Sequence, residues 1–142
     1  MSVLWIRNEI MESERRAPIV PIHAALLIRD GHHIFVESSD SRIFKDNEYA
    51  EVGCEVIKHT NWLTAPKDAL ILGLKHLPVK KTPLIHSHAY FAHAYNKDSI
   101  FHEVPNATLL LKRFKQGGGI HYDLEFLVVT SHSNLHPSSL AN

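Results

Sequence analysis

Ala69-Leu70-Ile71-Leu72-Gly73-Leu74 carries no charged or polar side chain, and Lys75 ends the run. An unbroken apolar segment of this length suits a strand covered on both faces of a sheet. Working outward, Glu55-Val56-Ile57 and His33-Ile34-Phe35-Val36-Glu37 are two further strands, the latter following an Asp30-Gly31 turn. Val3 to Arg7 is a first strand, Leu84 to Phe91 another, and Ile120 to Val129 contains the last. Asn8 to Arg16, polar and charged, is a loop. Pro18 and Pro21 bracket the start of a helix over His23 to Arg29, because proline is tolerated in a first turn. Asp46 to Val52 is a second helix, stopped by Gly53. Ala107 to Phe114 is a third, with Asn106 as its cap and Gln116-Gly117-Gly118-Gly119 as a flexible break. Strands alternating with helices predict an α/β fold with a mostly parallel sheet flanked by helices. In such sheets functional loops gather at the carboxyl ends of the strands. Lys75 and His93 each follow a buried strand, which predicts that both stand near one edge.

The 142 residues suit one domain. Fifteen basic side chains balance fifteen acidic ones, which gives no electrostatic reason to expect nucleic acid or an anionic membrane as partner. A single cysteine, Cys54, forms no internal disulfide and fits a reducing compartment. The apolar run at Val3 to Ile6 is short for a signal core, and no run approaches the ~18 residues of a spanning helix, so the cytoplasm is expected. Twelve histidines make the net charge sensitive to pH near 6.5. Thr130 to Asn142, rich in Ser, Asn, Pro and His, is expected to be an irregular tail.

Among chemical candidates, a lysine leaving a buried strand, Lys75, can act as a base when partly desolvated; the plain alternative is a surface lysine. His93, after Tyr90-Phe91-Ala92, is a candidate proton carrier, or else a histidine held by a backbone carbonyl. His86-Ser87-His88 places two imidazoles on one strand face. With His93 or His121 they form a zinc-type set, although no carboxylate or thiol stands nearby and a polar strand face is the simpler reading. In Glu14-Arg15-Arg16 an arginine can clamp a carboxylate, or the cluster is simply solvated. The triple glycine follows a helix instead of opening one, so it is no dinucleotide fingerprint; no Walker loop or nucleophile elbow is present.

Taken in order, several segments resemble a family. Glu14-Arg15-Arg16-Ala17-Pro18, Val36-Glu37-Ser38-Ser39, Arg42-Ile43-Phe44 and Glu48-Tyr49 are similar to the opening of fungal-type saccharopine dehydrogenases. Trp62-Leu63-Thr64-Ala65-Pro66-Lys67-Asp68, Ile71-Leu72-Gly73-Leu74-Lys75, Phe91-Ala92-His93-Ala94-Tyr95 and Gly119-Ile120-His121-Tyr122-Asp123-Leu124-Glu125-Phe126-Leu127 continue the likeness. The wider relatives are alanine dehydrogenase and the nicotinamide transhydrogenase N-terminal domain. The resemblance implies a Rossmann-like, substrate-side domain over residues 1–127, with 128–142 a divergent tail. It implies oxidative cleavage of saccharopine to lysine and 2-oxoglutarate with NAD, in lysine biosynthesis through aminoadipate. Lys75 and His93 match the acid–base pair of that family. Arg16 matches an arginine that holds a substrate carboxylate, and Glu125 a glutamate near the pair. The dinucleotide-binding half is not recognisable in these residues. The domain is therefore expected to be inactive alone and to associate through surface that the other half would cover. Met11 and Asn96 stand where the family commonly has basic residues, and His76 where an acid commonly follows the lysine. Two other readings remain: a non-catalytic dicarboxylate-binding or interaction domain, and a histidine-rich metal-binding domain.

Overall fold

The computed structural model describes residues 2–11, 13–78, 80–92 and 107–124. In chain order the elements are β1 (Val3–Ile6), α1 (Pro21–Arg29), β2 (His33–Glu37), α2 (Asp46–Glu51) and β3 (Glu55–Ile57). A 3-10 turn (Trp62–Thr64), β4 (Leu70–Leu72), β5 (Ser87–Tyr90), α3 (Ala107–Gly117) and β6 (His121–Asp123) complete them. The six strands form one sheet in the order β3-β2-β1-β4-β5-β6, and every neighbouring pair is parallel. The expected α/β class holds, and the parallel character is complete within this sheet.

Alternation along the strands builds the two sides. Ile6, Ile34 and Val36 turn to one face, where they pack with Ala24 of α1, Tyr49 of α2 and Cys54. Trp5 and Ile71 turn to the other and join Trp62, Leu84, Tyr90, Leu110 and Phe114. A period of two puts successive residues on opposite faces, so a helix layer on each side requires strands apolar throughout.

Local chemistry sets most boundaries. Pro21 opens α1 two residues earlier than the sequence suggested, its missing N–H costing nothing at that position. Glu48 reaches back to accept from the Lys45 N–H at 2.7 Å and closes the first turn of α2. Gly53, at φ +107°, ends that helix as expected. The 3-10 turn was not foreseen; Asn61 caps it by accepting from the Leu63 N–H at 2.9 Å.

The triple glycine corrects the sequence reading. Gly117 and Gly119 are tight fits against neighbouring backbone, Gly118 makes the turn at φ +83°, and α3 runs on to Gly117. A Cβ on Gly117 would lie 2.1 Å from the Leu84 carbonyl oxygen, and one on Gly119 2.1 Å from that of His86. The absence of a Cβ lets the end of α3 lie directly on the backbone that leads into β5, fixed by the Gly119 N–H donating to Leu84 O at 3.0 Å.

Candidate functional site

The chain runs outward from β1 to β2 and β3, then returns to β4 on the other side of β1. The strand order therefore reverses between β1 and β4, and a crevice opens at their carboxyl ends. Arg7, Asn8 and Glu9 leave β1 there, and Gly73, Leu74 and Lys75 leave β4.

Lys75 is half-buried, with its Nζ 3.8 Å from Glu14 Oε1. Glu14 itself is buried, and its two oxygens receive Arg16: Nη2 at 2.8 Å, Nε at 2.9 Å and the backbone N–H at 3.1 Å. Those hydrogen bonds from Arg16, helped by the charge of Lys75, hold the Glu14 carboxyl below its ordinary range, so it is an anion at neutral pH. Arg16 is 72% exposed, and Glu14 occupies only one edge of its guanidinium. The other edge is free to meet a planar anion. Two cations thus flank one carboxylate at the rim of the crevice.

Neighbouring loops hold this arrangement. Ile43 N–H donates to Arg15 O at 2.8 Å, and Arg15 Nε to Ser41 O at 3.2 Å. Arg42, buried over the Tyr49 ring at 4.8 Å, donates to Glu37 O, Phe44 O and Asp46 Oδ1. The Tyr49 hydroxyl in turn donates to Ile19 O at 2.7 Å, and its burial pushes its pKa up to about 12.

Two residues that sequence reasoning passed over hold the turn after β4. Glu9 Oε2 accepts from the Leu74 N–H at 3.0 Å and Oε1 from the Lys75 N–H at 2.9 Å. Arg7 donates to the Lys75 carbonyl and lies 3.5 Å from Glu9. A polar triplet directly after a buried strand was the available signal. On the β1–β2 side, a groove of about 530 Å³ is lined by Asn8, Glu9, Glu37, Lys58, Asn61 and Trp62, among others.

The other sequence candidates fare differently. Lys75 and Arg16 are brought together through Glu14. His93 and Glu125 lie outside the described residues, as do Asn106 and the segment 125–142. His86 and His88 do not form a polar face: both are fully buried, with His88 ring centroids 4.7 Å from Trp62 and 5.7 Å from Phe114. His86 Nε2 meets Ala65 O at 3.0 Å, and neither nitrogen of His88 has a hydrogen-bond partner among the described residues. Burial, with Arg7 nearby, depresses His88 to about 2, so it is neutral. Among the described residues no three His, Cys, Asp or Glu side chains are grouped to hold a metal ion.

The connection from β1 to α1 does not fit a dinucleotide. Its pyrophosphate needs a glycine-rich turn between strand and helix. The connection from β1 to α1, residues 7–20, contains no glycine, and α1 opens on a proline that has no N–H to offer. Glu37, at the end of β2, is occupied by Trp5 Nε1 at 2.7 Å and the Asn8 N–H at 2.9 Å, and its burial raises its pKa. No helix among the described residues is long and apolar enough to cross a membrane.

Comparison with known proteins places the chain in a family. Over 125 residues the chain is 42% identical to a saccharopine dehydrogenase [NAD(+), L-lysine-forming] of Emericella nidulans, covering 87% of this chain and 32% of the relative. The enzyme of the same name from Candida albicans is 43% identical over 126 residues, covering 88% of this chain and 31% of the relative. The chain thus spans about a third of the length of these relatives. In structure it is similar to a transhydrogenase from Sinorhizobium meliloti, with a TM-score of 0.64 at 15% identity, over 87% of this chain and 35% of that one. Residues 5–140 match the sequence model of the alanine dehydrogenase/PNT N-terminal domain, and the chain belongs to that family.

Proposed function

We propose that this chain is the substrate-side domain of a saccharopine dehydrogenase, acting on saccharopine, or on lysine and 2-oxoglutarate, at the crevice between β1 and β4. The observation that carries the reading is the pair of cations, Lys75 and Arg16, gathered around the buried Glu14 at the strand-order reversal. Cleaving a secondary amine to an amine and an oxo acid needs proton donors and acceptors at nitrogen and at water. Lys75 is the described group suited to this, and His93 is its partner by family likeness. The exposed edge of Arg16 takes a substrate carboxylate, with Glu125 close to the pair. NAD accepts the hydride in the named relatives. The groups that hold it would lie outside these 142 residues, so residues 1–127 are expected to bind substrate without turnover, followed by a divergent 128–142. Ile10 and Met11, exposed in the loop after β1, suit contact with a dinucleotide-binding partner domain.

The test pairs two measurements on the purified chain. Saccharopine-dependent reduction of NAD, followed by absorbance, should be absent. Calorimetric binding of saccharopine should be present and fall by about tenfold in Arg16→Ala, the loss expected for one charged clamp. Turnover that disappears in Lys75→Ala would show that the NAD site lies within these residues. Absence of binding by saccharopine, lysine and 2-oxoglutarate alike would remove the substrate assignment.

A further inference from the structure

Lys75 lies three residues past the last strand residue of β4, where the β1–β4 pairing has ended at Ile6 and Leu72. A lysine side chain is long and flexible, so the reach of its ammonium depends first on where its peptide is held. Here that peptide is gripped from both sides by two side chains of the neighbouring loop. Glu9 takes two consecutive amides, Leu74 and Lys75, one on each oxygen. A carboxylate is suited to this, since it is acceptor-only and both its oxygens are available. Arg7 takes the Lys75 carbonyl. The two clamp residues lie two positions apart, a spacing that puts both on one side of an extended chain.

The surroundings are built around this grip. Arg7 is 2% exposed and lies over the Tyr90 ring, 5.2 Å from its centroid. Gly73 clears its path: a Cβ there would stand 2.3 Å from Arg7 Cζ. The Phe91 N–H donates to Leu74 O at 2.9 Å and the Gly73 N–H to Ala89 O at 3.0 Å, which ties the same turn to β5. Burying an ion pair gains little stability over an apolar packing of the same volume. A fixed position for one peptide is what this pair does provide.

We propose that the buried Arg7–Glu9 pair is the positioning element for Lys75, locking its peptide so that the ammonium stays beside Glu14. The proposal rests on the reading of Lys75 as a group that meets substrate. The division of labour is then clear: Glu14 meets the ammonium itself, while Arg7 and Glu9 act through the backbone.

The experiment uses the whole chain and two readouts. Hydrogen exchange reads the Leu74 and Lys75 amides. Brief acetylation with acetic anhydride, read by peptide mass spectrometry, gives the labelling of Lys75 relative to Lys67, an exposed lysine before the amino end of β4. In the unsubstituted chain both amides should exchange at least about a hundredfold slower than free peptide, although neither is in a strand; unprotected amides would overturn the proposal. In Glu9→Gln, protection at both amides should fall together with a rise of at least about threefold in the Lys75:Lys67 ratio, the low end of coupling between contacting residues. Glu14→Gln should raise the ratio and leave the amides protected, which separates contact with the ammonium from the hold on its peptide. A folded Glu9→Gln chain that labels like the original would overturn the proposal, whatever its amides do. If Glu9→Gln does not fold, Gly73→Ala displaces Arg7 from the Lys75 carbonyl; a rise in the Lys75:Lys67 ratio then supports the proposal, and an unchanged ratio overturns it. Saccharopine binding by the original chain is measured separately: its absence rejects the substrate assignment, while labelling and exchange still judge the clamp.

Discussion

Two sets of buried polar side chains, one at the carboxyl ends of β1 and β4 and one on β5, are organised in opposite ways. At the carboxyl ends of β1 and β4, Arg7, Glu9 and Glu14 are buried yet engaged: Glu9 with two amides, Glu14 with Arg16 and Lys75, Arg7 with a carbonyl and Glu9. In the aromatic core around β5, His88 is equally buried, and both its nitrogens lack a hydrogen-bond partner among the described residues. The first group spends charge on holding loop backbone beside a crevice. The second is an imidazole used as an aromatic ring, at right angles to Trp62. Chemical residue types alone therefore do not mark a site; what distinguishes the two is whether the polar atoms converge on a surface.

The contrast can be broken first at the glycines that frame each group. Gly119→Ala sets a Cβ against the His86 carbonyl, which cannot move without β5, and should cost about 4 kcal/mol or prevent folding, measured by urea unfolding. Gly73→Ala meets the Arg7 side chain first, at 2.3 Å from Cζ, and should cost clearly less in the same assay. Next in size, Glu9→Leu leaves Arg7 buried without its carboxylate and should lose about 3 kcal/mol.

Acid should act on the histidine side. His88 is depressed by burial to about 2, and burial also depresses His121. An unfolded chain takes up these protons below about pH 6.5, whereas the folded one resists. Their stabilisation is complete above that value and is lost as pH falls toward the folded pKa. Between pH 7 and pH 5, His88 alone should remove about 2 kcal/mol, and urea midpoints across that range check it. His88→Phe should abolish this part of the slope. At neutral pH the same substitution is the smallest effect, within about 1 kcal/mol, because no hydrogen bond is lost with the imidazole. A large neutral-pH loss in His88→Phe would mean that the imidazole has a polar role after all.

Much of the fold was legible residue by residue. The bare apolar run at 69–74, the β-branched and aromatic stretch at 33–37 and the stops at Gly31 and Gly53 located the elements. Of the candidate site, Lys75 was singled out because it leaves a buried strand and Arg16 because it stands in a charged loop segment that resembles the family; the structure sets both beside Glu14. Glu9 was not: its partners are 65 and 66 positions away. Nor were Gly117 and Gly119, since a glycine that turns and a glycine that lets two backbones touch read alike.

The sequence by itself determined the alternation of strands and helices, the parallel sheet and the family likeness, because periodicity, proline and glycine act on neighbours a few residues apart. Only the tertiary structure decided that Glu14 joins Lys75 to Arg16, that Glu9 and Arg7 hold the peptide of Lys75, and that His86 and His88 belong to the core. Each of those outcomes depends on β4 returning beside β1, which brings distant segments to one edge and seals β5 beneath Trp62 and α3.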